Sequence, residues 1–174
     1  TNIYLARTLG VSDFGLFTLA QTITLYFWLA VDLGTNMYGI REIAKRKDSA
    51  EGIINPLLTL RITAGLTVFA VYTVSLLFID MPASNRIIFG AAGLYLVSYS
   101  FYTDWVLKGL EKFRFIVWGN LISSLMFLAF VFLFVRGPGS TVTAALVWAL
   151  SYLAGGAALL VILFSKLGVR YRPD

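Results

Sequence analysis

Five apolar stretches, roughly 14–35, 55–79, 86–107, 115–135 and 142–165, divide this 174-residue chain. Each is close to the roughly 20 residues that a helix needs to cross about 30 Å of hydrocarbon. Inside a bilayer every backbone N–H and C=O must find a partner, which leaves helices and closed barrels as spanning structures. Runs this long and continuous select helices. Residues 1–9 (TNIYLARTL) read as the last turns of a further span. The expected fold is therefore all-α, a polytopic transmembrane bundle forming one membrane domain over 1–174. Composition agrees where it matters: 13% of residues are charged, against about 25% in soluble domains.

The connections carry turn and cap signals. Gly10 can close the first helix, and Ser12 or Asp13 can cap the next. DMPASNR (80–86) and RGPGS (136–140) read as short turns. In MYGIREIAKR (37–46), Met37, Ile40 and Ile43 or Ala44 recur at helical spacing. That stretch reads either as a short amphipathic helix on the membrane surface or as a frayed end of the preceding span.

The basic residues set an orientation. Arg41, Lys45, Arg46, Lys47, Lys108, Lys112, Arg114, Lys166, Arg170 and Arg172 fall on one set of loops, and Arg7, Arg86 and Arg136 on the other. By the positive-inside rule, 36–54, 108–114 and 166–174 face the cytoplasm, as in a multi-pass protein of the cytoplasmic (inner) membrane. The net charge of +5 then needs no nucleic acid. With no Cys and no His, thiol nucleophiles, disulfides, the usual zinc sites and His-based catalysis are excluded. No GxGxxG or P-loop pattern occurs, so neither cofactor nor metal is expected and an enzyme is disfavoured. The chain starts at Thr1 within a helix-like segment, so it is expected to be part of a longer protein.

Three charged residues lie inside the apolar stretches: Asp32, Arg61 and Asp104. A charge at a helix centre costs at least about 2.5–3.5 kcal/mol, so such residues are usually paired or functional. All three sit near the cytoplasmic end. One reading is an interfacial salt bridge in which Arg61 is neutralised by Asp32 or Asp104. The other is a polar crevice open to the cytoplasm, where Arg61 meets an anion and an acid serves as gate or coupling site. Trp105 fits a membrane-interface anchor. Lys108, Glu111, Lys112 and Arg114 read as a solvated loop in which Glu111 can pair with a cation. Ser151 with Gly155, Ala154 with Ala158 and Gly119 with Ser123 read as close-packing pairs. LISSLMFLAFVFLFV (121–135) reads as lipid-facing or packed, with no chemistry of its own.

Two motifs go further. YLARTLGVSDFGLFTLAQ is followed by LAVDLGTNMYGIREIAKRKD, and TDWVLKGLEKFR comes later. Together they resemble the polysaccharide biosynthesis family of O-antigen and lipid-linked oligosaccharide flippases, within the multidrug/oligosaccharidyl-lipid/polysaccharide exporter superfamily. The resemblance rests on Ala6, Arg7, Leu9, Gly10, Phe14 and Gly15; on Asp32, Leu33, Gly34, Arg41 and Glu42; and on Asp104, Trp105, Leu107, Gly109 and Glu111.

This resemblance implies two six-helix lobes that rock about a central cavity, with this chain supplying most of the first lobe. It implies an undecaprenyl-diphosphate-linked sugar chain as cargo, and a polysaccharide polymerase and other assembly proteins as candidate partners besides membrane lipids. A diphosphate needs cations in a low-dielectric cavity. Arg61 is the candidate, with Arg41 at the cavity mouth and Arg7 at the outer end. Two alternatives stay open. A drug or small-cation exporter of the same superfamily would rely on Asp32 and Asp104. A membrane-embedded polymerase or glycosyltransferase would need a long catalytic loop, and the loops here are short.

Overall fold

The computed structural model describes residues 1–166, apart from the side chain of Asp48. Expectations for Arg170, Arg172 and the end of the 166–174 loop lie outside the described residues. All regular structure among the described residues is helical: α1 (Asn2–Leu9), α2 (Val11–Asp32), α3 (Thr35–Lys45), α4 (Glu51–Phe78), α5 (Ala83–Ser100), α6 (Asp104–Gly109), α7 (Phe113–Phe134) and α8 (Thr141–Lys166), with a 3-10 turn at Lys47–Ser49.

Four helices, α2, α4, α7 and α8, are long and apolar enough to cross a membrane. The fifth expected span does not reach that standard. It is α5, which carries Ser84, Asn85 and Arg86 in its first turn and buries nine of its 18 residues. α5 packs on α2, α4 and α8 at the middle of the bundle. A helix enclosed by protein need not match lipid on every face, so its hydropathy falls.

Small residues set the spacing around α5 and α8. A side chain at Gly93 would meet the Tyr72 ring at 2.5 Å, and the Tyr72 hydroxyl donates to the Phe89 carbonyl at 3.0 Å. On α8, Gly155 faces Ser123 and the Gly119 carbonyl of α7, while its neighbour Gly156 lies against Phe101. The expected Gly119–Ser123 and Ser151–Gly155 pairs thus include residues that touch where α7 meets α8, as small residues at a helix crossing allow. An aromatic stack fills the centre. Tyr95 lies parallel to Trp148 at 4.3 Å, and Tyr152 meets Tyr95 edge-on at 4.9 Å.

Two helix breaks depart from the expected spans. The 14–35 span stops at Asp32 because Leu33 (φ 44) and Gly34 (φ 74) turn left-handed. Gly34 takes that conformation freely, whereas Leu33 does so at a cost of about 1–2 kcal/mol. The 86–107 span is two helices, α5 and α6, separated by Phe101–Thr103. Thr103 and Asp104 are residue types that favour helix starts over helix interiors. Tyr102 is buried in the gap and its hydroxyl donates to Asn120 Oδ1 at 2.6 Å. Asp104 is therefore the first residue of a short helix, not the inner end of a span.

The cap expectation is also corrected. α2 has no side-chain cap bond. Asp13 instead accepts the Gly139 N–H at 3.0 Å, tying the start of α2 to the turn before α8. At the opposite end, Lys47 pairs with Glu111 at 2.9 Å, the loop pairing expected for Glu111. The two ends thus keep the alternation that the basic residues imply.

Candidate functional site

The site grows from the break after Asp32. Turning the chain at Leu33–Gly34 starts α3 beside α4, so Thr35 comes within reach of Arg61. The Arg61 side chain is fully buried. Its Nη1 donates to Asp32 Oδ1 at 2.9 Å and to Thr35 Oγ1 at 3.2 Å. The Thr35 hydroxyl in turn donates to the Asp32 carbonyl at 2.6 Å. One guanidinium thereby joins the end of α2, the start of α3 and the body of α4. Removing one partner of a buried ion pair typically costs about 3–5 kcal/mol, because the remaining charge stays desolvated.

Trp105 closes the other side. Arg61 Cζ lies 6.0 Å from its ring centroid. The ring is wholly buried and lies where any side chain at Gly39 would have to go. This corrects the expectation of an interface anchor. Trp105 packs from α6 onto α3 at Gly39, in a cluster with Ile43, Ile54 and Leu163. Asp104 is also nearly buried, and its Oδ2 accepts from Lys108 Nζ at 2.6 Å.

The node holds unused hydrogen-bonding capacity. Arg61 Nε and Nη2, Thr103 Oγ1, Asp104 Oδ1 and Trp105 Nε1 are buried and have no hydrogen-bond partner. Each such group typically costs about 1–3 kcal/mol. Buried groups left unpaired in this way call for an explanation, and a functional role is one.

The four residues expected near the cytoplasmic end fall into one region. Asp32 and Arg61 are joined directly, Trp105 lies against Arg61, and Asp104 is next to Trp105. The two outlying cations are not brought to it. Arg41 sits on the exposed face of α3 and pairs with Glu42 at 3.4 Å. Arg7 is exposed in the last turn of α1, at the opposite end of the bundle. α3 is a separate helix, as one reading expected, but its buried face is Thr35, Gly39 and Ile43. Met37 is exposed. The spacing Thr35, Gly39, Ile43 is i, i+4, i+8, a signal hidden because only Ile43 is apolar. On the same helix, the Glu42 carboxyl is held below its ordinary value, chiefly by its hydrogen bond from Lys45.

A model of the family described as "Polysaccharide biosynthesis protein" matches residues 1–173. The chain is also 26% identical over 165 residues to a protein of Escherichia coli (strain K12) named "Putative O-antigen transporter". That match covers 91% of this chain and 39% of the relative, so the chain spans well under half of that protein's length. No solved structure matches it significantly. The family match and the four membrane-length helices make this a multi-pass membrane protein.

Proposed function

We propose that this chain, which belongs to the polysaccharide biosynthesis protein family, is part of a non-enzymatic transporter in the cytoplasmic membrane that flips a lipid-linked oligosaccharide to the outer leaflet. The observation that carries this reading is a family match running over residues 1–173 of a chain with four membrane-length helices. The name of the Escherichia coli relative supports the O-antigen type of cargo.

In this reading the Arg61–Asp32 pair is the closed form of a gate at the cytoplasmic end. When the pair opens, Arg61 offers its guanidinium to the cargo's diphosphate, the kind of planar two-point contact that arginine makes best. Asp32 is the ion that holds Arg61 in the absence of cargo. Arg41, exposed on α3, makes an early electrostatic contact at the cytoplasmic surface, and Arg7 receives the head group at the outer end. Asp104, with one buried oxygen free, is the candidate coupling acid. That free oxygen also favours a second reading, a cation-coupled exporter in which Asp104 is the essential charge.

The full-length gene is expressed in a strain lacking its lipid-linked oligosaccharide flippase, and cytoplasmic-face lipid-linked sugar is measured. Relief of accumulation that is lost with Arg61→Gln supports the flippase. Full relief with Arg61→Gln would keep the flippase and remove Arg61 from its cargo site, whereas export of a cationic drug that survives Arg61→Gln and is lost with Asp104→Asn would move the assignment to the second reading. No relief with any of a panel of glycans would overturn the flippase, and no export of a cationic drug would overturn the second reading.

A further inference from the structure

We propose that a neutral cleft between α1, α2, α7 and α8 binds one uncharged sugar ring of the cargo. This rests on the transporter reading and assigns the part of the cargo that the Arg61 node cannot recognise. The cleft has a volume of about 240 Å³, below the ~300–1,000 Å³ of pockets for drug-sized ligands. Its size suits a single ring and not a whole repeat. Asn2, Gln21, Ser123, Ser124, Trp148 and Tyr152 line it.

Depth is the first argument. Gln21 lies at the middle of α2 and Ser123 at the middle of α7, two of the membrane-length helices. A hydroxyl on a helix can donate to the carbonyl four residues back, as Thr18 and Thr22 do here, but the amide of Gln21 halfway through a bilayer is poorly placed against lipid, where nothing satisfies it. Such a group belongs beside a water-filled path or a polar ligand.

Charge is the second. No ionisable carboxylate, ammonium or guanidinium lines the cleft, so neither a phosphate nor a metal cation is matched there. Aromatic rings beside amides and hydroxyls suit a pyranose, whose C–H faces lie on π-surfaces while its hydroxyls exchange hydrogen bonds.

Preorganisation is the third. Trp148 is fixed by Tyr95, stacked on it within 3° of parallel. Tyr152 is held edge-on to both rings. The Gly119–Ser123–Gly155 crossing sets the separation of α7 and α8 behind the cleft. A site held this way loses little side-chain freedom when it binds.

The test uses the full-length transporter in proteoliposomes, with any cysteine outside this stretch removed; residues 1–174 contain none. Ser124→Cys is exposed to a water-soluble maleimide. Undecaprenyl diphosphate and the same lipid bearing one N-acetylhexosamine serve as the two probes. The maleimide should label Cys at 124, and only the sugar-bearing lipid should protect it. That lipid should also bind more tightly than the bare diphosphate, by roughly tenfold, the equivalent of about 1.4 kcal/mol. Gln21→Leu and Tyr152→Leu should each erase most of this advantage while leaving bare-lipid affinity intact. Absence of labelling means that lipid or another segment of the protein fills the cleft, and overturns the proposal. Binding of both lipids with equal affinity keeps the transporter reading and overturns the cleft. Failure of both lipids to bind overturns both.

Discussion

The Arg61 node and the α7–α8 cleft solve opposite problems with the same material. The node takes charge out of water and encloses it: a fully buried arginine, a carboxylate at 2.9 Å and a tryptophan against them. The cleft holds no charge and is lined by amides, hydroxyls and aromatic rings. The node ties the two chain breaks, at Leu33–Gly34 and at Phe101–Thr103, to the body of α4. The cleft sits on the long continuous helices α2, α7 and α8. The difference teaches that in this bundle charge fastens the joints where the chain breaks, whereas neutral polarity lines a cleft at mid-helix.

The sharpest way to break that contrast is to remove one ion. Arg61→Ala should lower stability by about 3–5 kcal/mol, toward the low end because Asp32 keeps some exposure. Thermal unfolding in detergent would measure it. The double change Arg61→Leu with Asp32→Leu should recover most of that loss while transport stays absent. If the double variant also transports, the node is a fastener only.

The next effect concerns packing around the same node. Gly39→Leu should force α3 away from Trp105 and cost about 1–3 kcal/mol, as overfilled sites do. Cytoplasmic-side protease access to the α3 segment should rise with it. Unchanged access would show that the α3–α6 contact is not the one that holds α3 down.

A smaller effect separates the cleft from the node. Tyr102→Phe removes the hydroxyl that donates to Asn120 and should cost about 0.5–1.5 kcal/mol. It should alter maleimide labelling of Cys at position 124 without altering cytoplasmic protease access. A change in both readouts would mean that the two regions move as one.

The smallest effect is one of pH. The folded Glu42 carboxyl sits below its ordinary value of 4.5, first through its hydrogen bond from Lys45. Its stabilising contribution is therefore fully present above that ordinary value and disappears as pH falls through the folded value. A slight loss of melting temperature on acidification below about 4.5, absent in Glu42→Gln, is the expected signature. An identical slope in the variant would assign the acid sensitivity elsewhere.

Much of this was legible in the residue order. Long apolar runs located α2, α4, α7 and α8, and the distribution of lysine and arginine matched the two ends that the structure ties together. The near-coincident depth of Asp32 and Arg61 pointed to their pairing. Glu111 found its cation in Lys47. What stayed hidden depends on neighbours. The apolar run 86–107 was long enough to read as a span like 115–135, although α5 is central and packed on three helices while α7 is largely exposed on the surface of the bundle. The break at Phe101–Thr103 follows from what Tyr102 touches on α7, 18 residues away. Trp105 has the composition of an interface anchor, and only Gly39 on a different helix makes room for it inside. Ser124 vanished within the apolar 121–135 run, and Ser123 read only as a packing residue. The Trp148 and Tyr152 pair, four residues apart like Tyr95 and Tyr99 across from it, was the one regularity that could have exposed the cleft.

Leu33 gives the node a mechanical character. It is one of two non-glycine residues with positive φ among the described residues, and it directly follows Asp32, the acid that Arg61 grips. A leucine in that shape stores about 1–2 kcal/mol, and the ion pair keeps it there. In the proposed transport cycle the joint between α2 and α3 would act as a cocked spring with the guanidinium as its catch. A cargo group competing for Arg61 would then work with the spring's help, and the reset would have to rewind it. Leu33→Gly would slacken the spring, leaving a catch that closes more firmly and releases less readily.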